Sequence, residues 1–353
     1  MLNELTIPIV QGPMLGASTP ALAVAVSNAG GLGSLAASGL DGAKLREAIA
    51  AMRAGTKKPF LVNLFAQNPA HPEPEDVKRA IERLAPWRAR YGLAPQNAPA
   101  QWAQDFAAQF AVLVEEAPPA ASFTFGCLTR EQAQALRAKG TYLIGTATTV
   151  AEARAWLAVG ADAICASGFE SGGHRGSFLA PQEDSLIGTI SLTRTIRAAV
   201  DVPVIAAGGI TDGRAIAAAL NLGANAVQIG TAYLLSDEAS VSAPWQKALE
   251  EAGDDPTELT RVISGRYARG ITNEFMRKLK PIEWEIPAYP VQNALTQELR
   301  AAAAKAGSPD VLSLWAGQSV KFIKRGKAAD ITHDLWREAQ ETLSATAQKW
   351  AQA

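Results

Sequence analysis

Short apolar runs of strand length alternate along the chain with longer segments whose apolar positions recur at helical spacing. Most of these runs are followed by a helical segment, and each is apolar enough to be buried on both faces, which is typical of parallel strands joined by crossover helices. The eight predicted strands span residues 7–14, 32–37, 60–65, 121–126, 141–145, 163–167, 203–207 and 226–230. Eight sequential units predict an α/β fold, a (β/α)8 TIM-type barrel, and fit an open doubly wound sheet less well because no reversal of strand order is needed.

Capping residues support the helical half of this pattern. Asp41 is placed to cap the helix predicted over residues 41–54, and Gly140, Gly160 and Gly223 each stand just past a predicted helix end. The predicted helices span residues 19–28, 41–54, 102–116, 129–139, 150–159, 185–200 and 212–222.

Two insertions interrupt the alternation. Residues 67–99 are rich in proline and charge, and residues 236–283 have a polar pattern that predicts helices. Both follow the carboxyl ends of strands, the face on which barrel active sites lie. We expect a small helical, lid-like subdomain made of residues 67–104 and 236–283, on a barrel made of residues 1–66, 105–235 and 284–353.

Composition and charge exclude several classes of protein. The 353 residues are 48% hydrophobic and 19% charged with a net charge of −1, a balance typical of a soluble globular protein. No basic tract indicates nucleic acid or an anionic membrane surface, and no apolar run approaches the roughly 18–20 residues that span a bilayer. The amino terminus lacks the pattern of a secretory signal, so we expect a cytoplasmic protein. Only Cys127 and Cys165 are present, which we interpret as packed, reduced thiols, and no metal site is predicted.

The most chemically suggestive segment is the glycine-rich stretch at residues 168–176, which follows the sixth predicted strand and contains His174. Glycine permits close backbone approach and positive φ, and successive N–H groups in such a loop can bind an anion. An imidazole there could exchange protons near neutral pH, which makes His174 the candidate catalytic residue. The alternative is a histidine whose hydrogen bonds are satisfied by the backbone of a tight loop.

The next two strand ends predict a phosphate site. Gly208 and Gly209 follow the seventh strand, while Gly230 and Thr231 end the eighth and offer N–H and hydroxyl donors. Barrels commonly bind phosphate at these two loops. Asn63, a lone amide in the apolar third strand, either bonds a ligand or bonds neighbouring backbone. The G-x-G-x-x-A match at residues 31–36 is set aside because a helix precedes it and a strand follows.

Several segments together resemble the nitronate monooxygenases of class I, and the resemblance covers nearly the whole chain. These segments are residues 11–14 (Gln-Gly-Pro-Met), 170–176 (Glu-Ser-Gly-Gly-His-Arg-Gly), 203–210, 228–231, 289–296 (Tyr-Pro-Val-Gln-Asn-Ala-Leu-Thr) and 315–318 (Trp-Ala-Gly-Gln). The Gly-Gly-His-Arg-Gly stretch together with Tyr-Pro-x-Gln-Asn is specific to the family, whereas the Ala-Ala-Gly-Gly turn is shared by many flavin barrels.

The resemblance implies noncovalently bound FMN as the cofactor. It implies that the phosphate lies near Gly172, Gly209, Gly230 and Thr231, with Gly173, Gly208 and Ile229 as further cofactor positions, and that Asn63 and Gln228 bond the flavin. Ser167 stands where the family often has a glutamine that contacts FMN. Because serine is shorter, that contact would be lost, shifted or bridged by water.

The implied reaction is the oxidative denitrification of alkyl nitronates, such as propionate 3-nitronate, with O2. Its products would be a carbonyl compound with nitrite or nitrate, and His174 would act on the nitronate. Two alternatives stay open: an NAD(P)H-dependent reductase of quinones or enoyl thioesters on the same type of barrel, and a noncatalytic protein that binds flavin or phosphate. We expect small-molecule partners only, and a homodimer is the assembly left open.

Overall fold

The computed structural model describes residues 1–351 and contains a barrel, a small antiparallel sheet and helices around them. The strands are β1 (Ile9–Gln11), β2 (Gly33–Ala36), β3 (Phe60–Phe65), β4 (Ala120–Thr124), β5 (Tyr142–Ala147), β6 (Ala163–Ser167), β7 (Gly173–His174), β8 (Val204–Ala207), β9 (Ala226–Ile229), β10 (Thr257–Thr260) and β11 (Ala268–Ile271). The α-helices are α1 (Pro20–Asn28), α2 (Gly42–Gly55), α3 (Pro74–Arg90), α4 (Phe106–Glu116), α5 (Arg130–Ala138), α6 (Val150–Val159), α7 (Thr189–Ala199), α8 (Gly213–Asn221), α9 (Ala243–Glu250), α10 (Glu274–Leu279), α11 (Val291–Lys305) and α12 (Ala328–Ala351).

Eight parallel strands form the barrel, in the order β1-β9-β8-β6-β5-β4-β3-β2. A parallel bridge between Val10 and Leu32 joins the two ends of this sheet. The (β/α)8 architecture predicted from the alternating pattern is therefore confirmed. The strands at 60–65 and 163–167 have the predicted bounds, whereas β1 is shorter than predicted because Pro8 and Pro13, which lack an N–H, flank it.

The residues predicted to start and end helices do cap them in the structure. The Asp41 carboxylate accepts a hydrogen bond from the Lys44 N–H at 2.9 Å, and Gly140, Gly160 and Gly223 all have positive φ. One predicted start is wrong, because the helix expected from residue 185 begins only at Thr189. There the carboxylate of Glu170 accepts the Thr189 N–H and fixes the first turn of α7.

Part of the second insertion forms strands where helices were predicted. β10 pairs antiparallel with β11, and β11 pairs antiparallel with the two-residue strand β7. The partner of β11 is thus the segment that carries His174, some 90 residues earlier in the chain. Strand pairing of this kind depends on tertiary context, which the local polar pattern does not reveal.

The two insertions share a hydrophobic cluster outside the barrel. Val77, Ala80 and Leu84 of α3 pack in it with Val262 and with further residues of α10 and α11. The cluster also takes in residues between 291 and 320, which the predicted domain division gave to the barrel. That division into a barrel and a lid-like subdomain stays a prediction.

Helix α12 covers the outside of the barrel beside α8 and α1. The Glu338 carboxylate accepts the Gly213 N–H at 3.0 Å, at the first residue of α8. Within residues 1–351, no helix combines the length and the apolar character needed to cross a bilayer.

Candidate active site

The site lies at the carboxyl ends of the barrel strands, in a cavity of about 1140 Å³. Inside the barrel, Leu61, Ala120, Ile144, Cys165 and Ala226 form a packed apolar layer. Side chains alternate along a strand with period two, so the residues two positions later also point inward and form the floor of the cavity. These floor residues are Asn63, Ser122, Thr146, Ser167 and Gln228.

Glycines form one wall of the cavity, at the loops where the sequence predicts a phosphate site. Gly172, Gly173, Gly208, Gly209, Gly230 and Thr231 all line it. Gly208 has φ +116° and Gly209 has φ +68°, a region that favours glycine. Within the described residues, the backbone N–H groups of Gly172, Gly209 and Gly230 donate no hydrogen bond to the protein.

Two further features of this wall are the close packing of Gly172 and the orientation of the Thr231 hydroxyl. A Cβ on Gly172 would lie 2.6 Å from the backbone of Ala316, so only glycine fits there. The hydroxyl of Thr231 accepts the Gly317 N–H at 2.9 Å, which leaves its own hydrogen available to the cavity. The wall therefore presents a set of unused hydrogen-bond donors.

The predicted flavin-contacting residues of the floor differ in how many of their polar atoms are free. Asn63 donates from Nδ2 to Ser122 O at 3.2 Å and to Ser122 Oγ at 2.9 Å, and its Oδ1 has no partner among the described residues. The Gln228 amide likewise makes no hydrogen bond within residues 1–351 and lines the cavity. Ser167 Oγ lies 3.2 Å from Ser171 Oγ. The side chain of Ile229 is buried between the barrel strands and the helices α1, α8 and α12, and it does not line the cavity.

His174 lies on β7 within an aromatic enclosure. Its ring centroid is 5.5 Å from that of Phe125, 5.5 Å from that of Tyr289 and 5.4 Å from that of Trp315. Its Nε2 lies 2.9 Å from the Oγ of Ser264, which belongs to the segment between β10 and β11. The imidazole is therefore bonded to a distant side chain and not to the backbone of its own loop.

This environment keeps the imidazole neutral. Burial, with smaller contributions from the nearby charges of Arg266 and Arg300, lowers the pKa of His174 from 6.5 to about 3. Arg266 stacks over Phe125, with its guanidinium carbon 4.3 Å from the ring centroid. At neutral pH His174 is thus a hydrogen-bonding group without charge.

The buried guanidinium of Arg175 holds the loop that carries the histidine in place by hydrogen bonds. The Arg175 guanidinium is fully buried and donates to three carbonyl oxygens, those of Ser167, Gly168 and Ser185, at 2.7 to 3.1 Å. Burial lowers the pKa of Arg175 to about 10, so its charge is kept at neutral pH. The arrangement fixes the path of the chain from the end of β6 to His174.

Three groups around the histidine were not predicted from the sequence. Phe125 and Ser264 carried no local signal, because their significance arises only from the distant segments that meet at β7. Arg300 did carry one, since it follows Asn293 of the Tyr-Pro-x-Gln-Asn segment by seven residues and so lies on the same face of α11. Within residues 1–351, no cluster of three acidic, histidine or cysteine side chains is arranged to hold a metal ion.

Comparisons with known proteins agree with this architecture. A family model described as nitronate monooxygenase matches residues 1–338. The nitronate monooxygenase of Pseudomonas aeruginosa is 43% identical over 336 residues, which cover 94% of this chain and 95% of the relative.

Two solved structures share nearly the whole fold. Nitroalkane oxidase from Streptomyces ansochromogenes superposes with a TM-score of 0.90 at 41% identity, over 98% of this chain and 99% of that one. FabK from Thermotoga maritima superposes with a TM-score of 0.76 at 30% identity, over 99% of this chain and 98% of that one.

With this cavity at the carboxyl end of its barrel and relatives of this kind, the chain is an enzyme, an oxidoreductase built on a (β/α)8 barrel. It belongs to the nitronate monooxygenase family, as the motifs in its sequence predicted.

Proposed function

We propose that the protein catalyses the FMN-dependent oxidative denitrification of alkyl nitronates such as propionate 3-nitronate. The reaction uses O2 and gives a carbonyl compound with nitrite or nitrate. The observation that carries the proposal is the neutral, enclosed His174 beside a glycine wall of unused donors, in a chain of the nitronate monooxygenase family.

The glycine wall fits the phosphate of FMN. The free N–H groups of Gly172, Gly209 and Gly230, with the Thr231 hydroxyl, are the donor type that binds phosphate at barrel loops. Gly173 and Gly208 both have positive φ, which favours glycine, and a Cβ on Gly208 would meet Ser171 Oγ at 2.9 Å. No cofactor contact is assigned to Ile229, because it does not line the cavity and its carbonyl oxygen accepts the Gly12 N–H at 2.7 Å.

The floor fits a flavin ring, which carries both donors and acceptors along one edge. The free Oδ1 of Asn63 accepts, and the amide of Gln228 can donate and accept. A contact with FMN is assigned to the hydroxyl of Ser167, which also lies within hydrogen-bond distance of the Ser171 hydroxyl. When bound, FMN supplies the electron acceptor for the nitronate and the electron donor for dioxygen.

His174 holds the nitronate through a hydrogen bond and not through an ion pair. The Ser264 hydroxyl has two alternative acceptors, His174 Nε2 at 2.9 Å and Arg266 O at 3.2 Å, so either tautomer of the neutral ring is satisfied. An anionic nitronate favours the tautomer with the proton on Nδ1, in which Ser264 donates to Nε2 and Nδ1–H donates to the substrate. A neutral donor orients the anion without the full positive charge that would stabilise it against electron loss.

The test is turnover of propionate 3-nitronate by the purified flavoprotein, followed as O2 consumption and nitrite release. We expect His174→Asn to retain FMN and to lose about 100-fold or more in kcat/KM, the range typical of a lost proton-transfer or hydrogen-bonding group. His71→Asn, which changes an exposed histidine, is the matched control and should behave like the wild type.

Unchanged turnover by His174→Asn would remove the catalytic assignment. Rapid reduction of the bound flavin by NADPH, without nitronate turnover, would instead favour the reductase alternative. A yellow protein inactive in both assays would favour a noncatalytic flavin-binding protein.

A further inference from the structure

Arg300 is a charged residue in the cavity for which the reaction has so far required no role. It lies on α11 and lines the cavity together with Tyr289 and Trp315 of the aromatic enclosure. Its Nη2 donates to the carbonyl oxygen and to Oδ1 of Asn293, both at 3.0 Å, and its Nη1 donates to Ser313 Oγ at 3.3 Å. All three acceptors are neutral.

With these neutral partners, some N–H groups of Arg300 lack an acceptor and its positive charge lacks a counter-charge. A guanidinium has five N–H donors, and these contacts use three of them. The buried Nε–H is among those without an acceptor. Within the described residues no carboxylate lies within ion-pair distance of Arg300, so its charge is not neutralised. A partly buried, unneutralised cation of this kind favours an anion in the adjacent space.

Other arginines near the site are already engaged. Arg175 and Arg266 donate to backbone carbonyl oxygens, and Arg269 donates to the carbonyl oxygen of Phe169. None of these three lines the cavity. Arg300 is the arginine of the lining, and its charge is close enough to His174 to contribute to the lowered pKa of the imidazole.

We propose that Arg300 binds a carboxylate at the end of the substrate opposite the nitronate group and thereby determines specificity for carboxylated nitronates. This proposal rests on the proposed function and names the recognition element within it. The planar guanidinium suits a carboxylate, which can accept from two N–H groups at once. His174 holds the nitronate end, and the phosphate of FMN is assigned to the glycine wall, whose donors Arg300 does not contact.

The experiment compares two nitronates on the purified flavoprotein: propionate 3-nitronate, which carries a carboxylate, and propyl-1-nitronate, which does not. The measured quantity is the ratio of their kcat/KM values. We expect Arg300→Gln to lower this ratio roughly 30-fold or more, the effect of losing a charge-assisted pair. Arg300→Lys, which keeps the charge, should restore part of the ratio. Arg337→Gln removes the same charge from an exposed position on α12 and should leave the ratio unchanged.

A role for Arg300 in folding alone, or in binding the nitronate group itself, would lower both kcat/KM values together. An unchanged ratio in Arg300→Gln would therefore overturn the proposal.

A binding measurement gives a readout that does not depend on turnover. Succinate has the shape of propionate 3-nitronate with a carboxylate in place of the nitronate, and butyramide has a similar length and no carboxylate. By titration calorimetry, we expect Arg300→Gln to weaken succinate roughly 30-fold or more and to leave any binding of butyramide unchanged, whereas Arg337→Gln should leave succinate binding as in the wild type. Succinate binding that Arg300→Gln does not weaken would count against the proposal. If the wild type turned over neither nitronate, the proposed function would be wrong, and succinate binding alone would decide the role of Arg300.

Discussion

His174 shows how neighbouring rings determine the charge of one side chain. Phe125, Tyr289 and Trp315 replace water around the imidazole, and the positive charges of Arg266 and Arg300 oppose a further positive charge. Both effects favour the neutral ring. The same five residues thus set both the space next to the histidine and its protonation state.

A dependence of stability on pH follows from the lowered pKa. The folded protein leaves His174 uncharged down to about pH 3, whereas the unfolded chain binds a proton there below about pH 6.5. At low pH, proton binding to His174 in the unfolded chain therefore lowers the free energy of unfolding. This loss becomes smaller as the pH rises from about 5 to 6.5, where the unfolded chain gives up the proton. Relative to His174→Asn, we expect the free energy of unfolding of the wild type to increase by about 1–2 kcal/mol over this interval and to level off above it.

Urea unfolding of both proteins at about pH 5, 6.5 and 8 measures this difference. A difference that stays constant across the three pH values would mean that folding does not change the pKa of His174.

The glycine wall makes a second prediction at the residue scale. Gly209→Asp adds a carboxylate and a Cβ where the phosphate of FMN is assigned, at a backbone with φ +68°. We expect the purified protein to lose its yellow colour, because like charges repel and the backbone can no longer approach. Gly307→Asp is the matched control, with φ +72° and open space around the position, and should keep its flavin. Flavin retained at normal stoichiometry by Gly209→Asp would refute the placement.

The sequence predicted these residues unequally well, for a physical reason. Gly208, Gly209 and His174 stand out locally, because glycine pairs and a lone histidine at strand ends have few structural uses. Ser264 and Phe125 do not stand out, since serines and phenylalanines occur throughout a folded chain. Their role depends on the pairing of β7 with β11, which brings together segments distant in sequence.

At the scale of elements, α8 and α12 show how closely the outer helices pack. A Cβ on Gly213, at the start of α8, would lie 2.4 Å from the backbone nitrogen of Ala339 and 2.5 Å from the backbone of Glu338. The same glycine donates its N–H to the Glu338 carboxylate. The close approach of α8 and α12 therefore requires glycine at this point.

We expect Gly213→Ala to destabilise the protein by about 1–3 kcal/mol, because the added methyl group must push α12 away from the barrel. Thermal unfolding followed by circular dichroism measures the change. Gly253→Ala, at a position with nothing within reach of the new Cβ, is the control. Equal melting temperatures for the two variants would show that α12 adjusts without cost.

Elements with strong periodicity were predicted best. All eight barrel strands exist, and all except β1 lie within two residues of their predicted bounds, because each is buried and flanked by turn residues. The pattern predicted helices at β10 and β11 because their sequences, Thr-Glu-Leu-Thr and Ala-Arg-Gly-Ile, form neither a continuous apolar run nor a strict alternation of apolar and polar residues. The extent of helix α12 was not predicted, although its 24 residues make it the longest of the helices bounded in the structure.

On the scale of the whole molecule, the cavity combines two parts of the chain. The barrel provides the floor and the glycine wall, with residues such as Asn63, Gln228 and Gly209. The second hydrophobic cluster and its neighbours provide Trp315, Tyr289 and Arg300 as further lining residues. Periodicity predicted the first part, while the second depends on how the insertions fold back, which only the structure reveals.

His174 sits where these two parts join, since β7 leaves the barrel and pairs with β11 of the second insertion. The wall assigned to the cofactor and the enclosure assigned to the substrate therefore come largely from different parts of the chain. Under the proposed function, we expect substitutions between residues 257 and 315 to change which nitronate is accepted and to leave cofactor binding by the barrel intact. For engineering, this stretch is the place to diversify when a new substrate is wanted, and the strand ends of the barrel are the part to leave untouched.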